Sequence, residues 1–149
     1  MSHSSFEIAV VDDESPVCKA LGRLLRAAGH EVETYASGGE FLSSLQKHRP
    51  DCAIVDLHMP AVSGLEVQQQ LAKEEIRLPC IVITGKDDPG TQQRVMESGA
   101  AAYLRKPLDE KALLDAIRTA VTRNEPEPLR NDEAGERTLA EPRKGRIPL

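Results

Sequence analysis

Apolar runs in this sequence stop on residues that can do chemistry. "VVDD" ends in Asp12 and Asp13, "CAIVD" in Asp56 and "CIVIT" in Thr84, and a shorter stretch around Tyr103, "YLRK", leads to Lys106. A buried strand that ends on a carboxylate is costly unless the charge is partnered or reaches water. Three carboxylates drawn together raise one another's pKa unless a cation joins them, and their hard oxygens favour Mg2+ or Mn2+ over zinc. So placed, Asp56 is ionised but partly screened and can attack an electrophilic phosphorus. The metal, Lys106 and the Thr84 hydroxyl would then hold the oxygens of the transferring group. Taken singly, each residue has a plainer reading, as a loop or cap carboxylate, a strand threonine or a surface lysine. Only their arrival at one place would give them this chemistry.

That arrival depends on the elements between them. Phe6 to Val11 reads as a first strand. Ser15 offers an N-cap and Pro16 suits the first helical position, after which Val17, Leu21, Leu24, Leu25 and Ala28 recur at helical spacing up to Gly29. Strands follow at Glu31 to Tyr35, Cys52 to Asp56 and Cys80 to Thr84, with a short one centred on Tyr103. Between them lie a helix opened by "SGGE" at capping-box spacing, one from Leu65 to about Glu75, and one carrying Val95 and Met96 to Gly99. A last helix starts behind Asp109 and lays Ala112, Leu113, Ala116, Ile117, Ala120 and Val121 on one face. Strands alternating with helices predict an α/β fold, a five-stranded parallel sheet covered on both faces in the doubly wound (βα)5, flavodoxin-like arrangement. Strands one, three and four are the most continuously apolar and belong at its centre. Sites in such sheets lie at the carboxyl ends of the strands, where Asp12, Asp13, Asp56, Thr84 and Lys106 all fall.

The composition narrows the function classes. The 149 residues are 40% hydrophobic and 29% charged, which suits one ordinary domain with a short appendage. Aromatic residues make up 3% and the net charge is -5, which argues against direct nucleic-acid binding: stacking platforms need rings and phosphate contacts need a basic surplus. Cys18, Cys52 and Cys80 have no metal-type spacing and read as reduced core thiols. The start "MSHSSFEIAVV" lacks the features of a signal peptide and no apolar run is long enough for a membrane helix, so the expectation is a cytoplasmic protein.

The ordered set "VVDDE", "IVDLHMP", "VITG" and "YLRKP" resembles the receiver domain of two-component response regulators, of the chemotaxis-regulator (CheY-like) type. The resemblance spans residues 6 to about 123, and "GLEVQQQL", "LPCIVITG" and "KPLDEKALLDAI" are most similar to receivers of nitrogen-fixation regulators. It implies that Asp56 becomes a 4-aspartylphosphate, taking the phosphoryl group from a histidine kinase or a histidine phosphotransfer protein. It implies Mg2+ held by Asp12, Asp13, Asp56 and the backbone carbonyl of His58, with Lys106 on the phosphoryl oxygens. Thr84 would swing toward them and Tyr103 turn inward behind it; without the resemblance, Tyr103 reads as a sheet-edge aromatic. A cis bond between Lys106 and Pro107 is implied as well. The face of the fourth helix, fifth strand and fifth helix would change its partner preference, and homodimers through it are a further expectation.

Some positions depart from the family pattern. Ala61 stands where Gly is usual after Pro60, in a turn expected to accept it. His58 and Lys86 occupy the two positions at which members tune phosphoryl lifetime, and polar side chains there would act on the hydrolytic water. The metal-ligand reading of the His58 ring is set aside for its backbone oxygen, and His3, His30 and His48 read as solvent residues.

A phosphatase of the haloacid-dehalogenase class would need a second acidic residue where His58 stands, and no "GxxxxGK[ST]" supports a nucleotide hydrolase. Residues 1–123 are thus expected to form the receiver, and 124–149, mixed in charge and without apolar periodicity, a disordered tail with no output domain. Signalling would pass through phosphorylation-dependent contacts with a downstream protein. A phosphate sink for a shared kinase and a phosphorylation-independent scaffold are the alternatives.

Overall fold

The computed structural model describes residues 5–86 and 88–124. The expectations for residues 125–149 and for His3 lie outside them. Ten elements alternate: β1 (Glu7–Val11), α1 (Ser15–Ala27), β2 (Glu31–Tyr35), α2 (Gly38–Ser44), β3 (Cys52–Asp56), α3 (Gly64–Lys73), β4 (Cys80–Thr84), α4 (Thr91–Glu97), β5 (Ala102–Arg105) and α5 (Glu110–Asn124). All pairings are parallel and the order is β2-β1-β3-β4-β5. The expected doubly wound sheet is therefore present, with strands one, three and four at its centre. Every residue of β3 and of β4 is buried.

Alternation along the strands divides the core. Ile8, Val10, Cys52, Ile54, Ile81 and Ile83 face α1 and α5, meeting Leu21, Leu25, Leu113 and Ile117. Ala9, Val11, Ala53 and Val55 face the other way, onto Phe41, Val67 and Leu71 of α2 and α3. A smaller group of Leu57, Val82, Val95 and Ala100 seats α4, with Leu65 and Tyr103 packed against it.

Local signals set most boundaries. The Ser37 hydroxyl accepts the Glu40 N–H at 3.1 Å, and Asp109 accepts the Ala112 N–H at 2.8 Å. Three expectations change. Glu14 rather than Ser15 is the N-cap of α1, and no side chain caps that end, so Pro16 falls one residue deeper. α3 spans Gly64–Lys73 rather than Leu65 to about Glu75, because a full capping box of Ser63 with Glu66 starts it one residue earlier. On α5, Leu113, Ile117, Ala120 and Val121 are buried but Ala112 is exposed, because it sits in the first turn ahead of the packed stripe.

Of the histidines, His48 is exposed, as expected, and pairs with Glu7. His30 is not a solvent residue: its ring stacks on Phe6 at 5.3 Å between centroids and its Nδ1 accepts the Phe6 N–H at 3.1 Å. Cys52 and Cys80 are buried free thiols, and burial pushes Cys52 up to about 12 and Cys80 higher still. Cys18 is half-buried and donates to the Asp12 carbonyl at 3.2 Å.

Candidate functional site

Parallel pairing brings the four strand ends to one rim. Beyond β1, the Asp12 N–H still donates to the Tyr35 carbonyl at 3.0 Å, so the ladder carries Asp12 into the sheet and leaves its carboxylate buried. Asp13, one residue on, is exposed. Asp56 closes β3 opposite Ile83, and the Leu57 N–H continues that ladder to the Ile83 carbonyl at 2.8 Å. Asp56 is also buried, at 5% exposure. Across the sheet, the Lys106 N–H donates to the Thr84 carbonyl at 2.7 Å, one step past β5, before the cis Lys106–Pro107 bond. The lysine side chain is thereby aimed back over the rim.

Lys106 Nζ lies 3.1 Å from Asp12 Oδ2, 3.2 Å from Asp56 Oδ1 and 3.5 Å from Glu14 Oε1. The other Asp12 oxygen accepts the Glu14 N–H at 2.9 Å. Burial raises the Asp56 carboxyl above its ordinary value and the Asp12 charge raises it further, while the hydrogen bond and charge of Lys106 pull it back. For Lys106, burial works against the ammonium, but hydrogen bonds to Asp12 and Asp56 and both their charges outweigh it and raise its pKa.

One carboxylate oxygen each from Asp12, Asp13 and Asp56 fits within a 4.8 Å cluster. That spacing and an all-oxygen donor set suit a hard divalent cation. The remaining candidates stand around this centre. Thr84 is fully buried, and its hydroxyl is occupied by its own loop: it donates to the Lys86 carbonyl at 2.7 Å and accepts the Lys86 N–H at 3.0 Å. The exposed His58 ring reaches the same Lys86 carbonyl through Nε2 at 3.4 Å, joining the β3–α3 and β4–α4 loops. Tyr103 is half-buried beside Val82, its register partner, in the α4 group.

Two site features escaped the sequence reading. Gly64 lets α3 start against the backbone of Asp56: a Cβ there would lie 2.7 Å from the Asp56 carbonyl oxygen and 2.9 Å from Leu57 Cα. The small residue just after Ser63 was the available signal. The other is Glu14, since nothing local in the sequence points from it to Lys106. The turn at Ala61 also differs from expectation. Its φ is 66°, the left-handed region, so the position is one that favours glycine.

The family model described as "Response regulator receiver domain" matches residues 8–118. Response regulator protein TodT of Pseudomonas putida is 36% identical over 121 residues, covering 81% of this chain and 53% of the relative. Transcriptional regulatory protein FixJ of Rhizobium meliloti is 33% identical over 117 residues, 78% of this chain and 57% of the relative. The chain thus spans a little over half the length of these curated relatives. Among solved structures, the FixJ-N crystal structure superposes with a TM-score of 0.75 at 33% identity, covering 80% of this chain and 95% of that one. The structure titled response regulator StyR gives 0.71 at 39% identity, covering 79% and 60%.

Proposed function

The chain belongs to the response regulator receiver domain family, and from that premise we propose that Asp56 accepts a phosphoryl group from a histidine kinase or histidine phosphotransfer protein. The observation that carries this is the meeting of buried Asp56 with Asp12, Asp13 and Lys106 at one strand-end rim. Asp12, Asp13, Asp56 and the backbone carbonyl of His58 would hold Mg2+, or Mn2+ in its place. Bound there, the ion neutralises part of the charge that builds on the transferring oxygens.

The chain's own groups do the rest. A carboxylate oxygen of Asp56 forms a P–O bond as the donor's P–N bond breaks, and the departing imidazole keeps the electron pair and takes up a proton. Lys106, already among these carboxylates, turns its ammonium to the phosphoryl oxygens. The Thr84 hydroxyl leaves the Lys86 carbonyl to donate to the same group, and Tyr103 follows inward behind it. Because Thr84 is buried under that loop, its departure is the step that reports the new charge to the α4, β5 and α5 face.

Signalling then runs through protein contacts on that face, with a downstream protein or a second copy of the chain, without direct nucleic-acid binding by the receiver and in the cytoplasm. Among the described residues no helix is long and apolar enough to cross a membrane. The test is intact mass after incubation with acetyl phosphate and Mg2+. Wild type is expected to gain one hydroxylamine-labile phosphoryl group and Asp56→Asn none. A rapid decay with no partner would identify a phosphate sink instead, and wild type without an adduct would leave the scaffold reading.

A further inference from the structure

Lys106 has a third anionic neighbour that the phosphoryl chemistry does not use. Glu14 Oε1 lies 3.5 Å from its ammonium, and unlike Asp12 and Asp56 this side chain is 63% exposed, at the mouth of the site. Its position is not accidental slack. The Glu14 carbonyl accepts the Val17 and Cys18 N–H groups and its own N–H is bound by Asp12, so the backbone is fixed as the start of α1. The glutamate is not part of the Asp12, Asp13 and Asp56 oxygen cluster, so its carboxylate stands beside Lys106 without being one of the groups that would hold a cation.

We propose that Glu14 is a specificity-determining residue that sets which phosphodonors the site accepts by charge. Its carboxylate faces the approach to Lys106, so a donor of higher negative charge meets repulsion there and competes with Glu14 for the ammonium. A donor with a compensating positive charge meets less of it. The inference rests on Asp56 being the phosphoryl acceptor, and it concerns selection among donors rather than the transfer itself. Because the group is solvent-exposed, its influence is modest and screened by salt.

The experiment compares second-order phosphorylation rates of wild type, Glu14→Gln and Glu14→Asp with Mg2+ and two donors. Acetyl phosphate is largely dianionic at neutral pH and phosphoramidate carries less negative charge. With acetyl phosphate at low ionic strength, Glu14→Gln is expected to react about threefold faster than wild type. That gain should disappear near 1 M salt, where the Debye length falls to about 3 Å. Phosphoramidate should show a smaller gain, and Glu14→Asp, which keeps the charge, should stay near the wild-type rate.

Equal gains with both donors, a gain that survives high salt, or Gln and Asp variants that behave alike would each overturn the proposal. So would unchanged rates throughout. These outcomes require wild type to form its adduct; if wild type forms none, the reading of Asp56 fails, and this inference falls with it for that separate reason.

Discussion

At the N-terminal rim of the sheet, the Glu7 backbone N–H donates to Asp51 at 2.8 Å and its carboxylate pairs with His48 Nε2 at 2.6 Å, while His30 accepts the Phe6 N–H. At the C-terminal rim, Asp12, Asp56 and Glu14 converge on the Lys106 ammonium instead. The first rim pairs its polar groups nearly one to one, and its charged side chains stay largely exposed. The second gathers an excess of negative charge, two of its carboxylates buried, around a single cation. A rim built for stability alone would have no reason for that imbalance; a rim that must bind a cation and then a phosphoryl group has one.

The contrast can be broken most sharply at Lys106. Without a bound divalent ion, Lys106→Met leaves the buried Asp12 and Asp56 carboxylates without a countercharge and is expected to cost about 3 kcal/mol at neutral pH. Urea unfolding measures this, and an unchanged midpoint would mean the ion pairs are not structural. The pH dependence has a defined sign. Asp56 is raised above its ordinary 3.8, so the folded state holds that proton more tightly than the unfolded one. Its contribution to stability is complete below about 3.8 and is lost as pH rises through the folded value. Lys106→Met should carry that loss to higher pH and so enlarge it, and Asp56→Asn should remove it.

Adding Mg2+ supplies the missing positive charge from outside. At a hundredfold excess over its dissociation constant, an ion that binds only the folded site stabilises it by about 2.7 kcal/mol. Differential scanning calorimetry should therefore show a higher Tm for wild type with Mg2+ and a much smaller rise for Asp13→Asn. An equal rise in both would remove Asp13 from the metal site.

What was legible beforehand follows the same division. The β1, β3 and β4 strands announce themselves through apolar runs buried on both faces, and their shared direction follows from the helices between them. Once the strands are parallel, their terminal residues must share a rim, so Asp12, Asp56, Thr84 and Lys106 could be gathered from order alone. Long-range side-chain reach is not written that way. Glu14 and Lys106 are far apart in the chain, and their approach depends on where α1 begins, one residue earlier than Ser15 as N-cap suggests and with no side-chain cap to mark it. Gly64 owes its role to a backbone contact that no periodicity encodes, and His30 is withdrawn from solvent by Phe6, a partner across the β1–β2 edge.

Ala61 offers a smaller test within the site's own loops. Its φ of 66° carries the usual penalty of a Cβ in the left-handed region. Ala61→Gly should therefore be neutral to stabilising by up to about 1 kcal/mol, part of the gain being returned through the more flexible unfolded chain. A clear destabilisation would mean that the methyl group packs usefully there. At the opposite rim the expected effect is smaller still. His48→Ala removes an exposed pair and should change stability by no more than about 0.5 kcal/mol, less in high salt. A loss as large as that at Lys106 would erase the distinction between the rims.

The most direct measurement is reductive trapping of the phosphorylated chain with borohydride, which converts an aspartyl phosphate to homoserine, followed by peptide mapping. The expected result is homoserine at position 56 in wild type, dependent on both donor and Mg2+, and at no position in Asp56→Asn. Homoserine at Asp12 or Asp13, or undiminished trapping in the Asp56→Asn protein, would contradict the assignment of Asp56 as the phosphoryl acceptor.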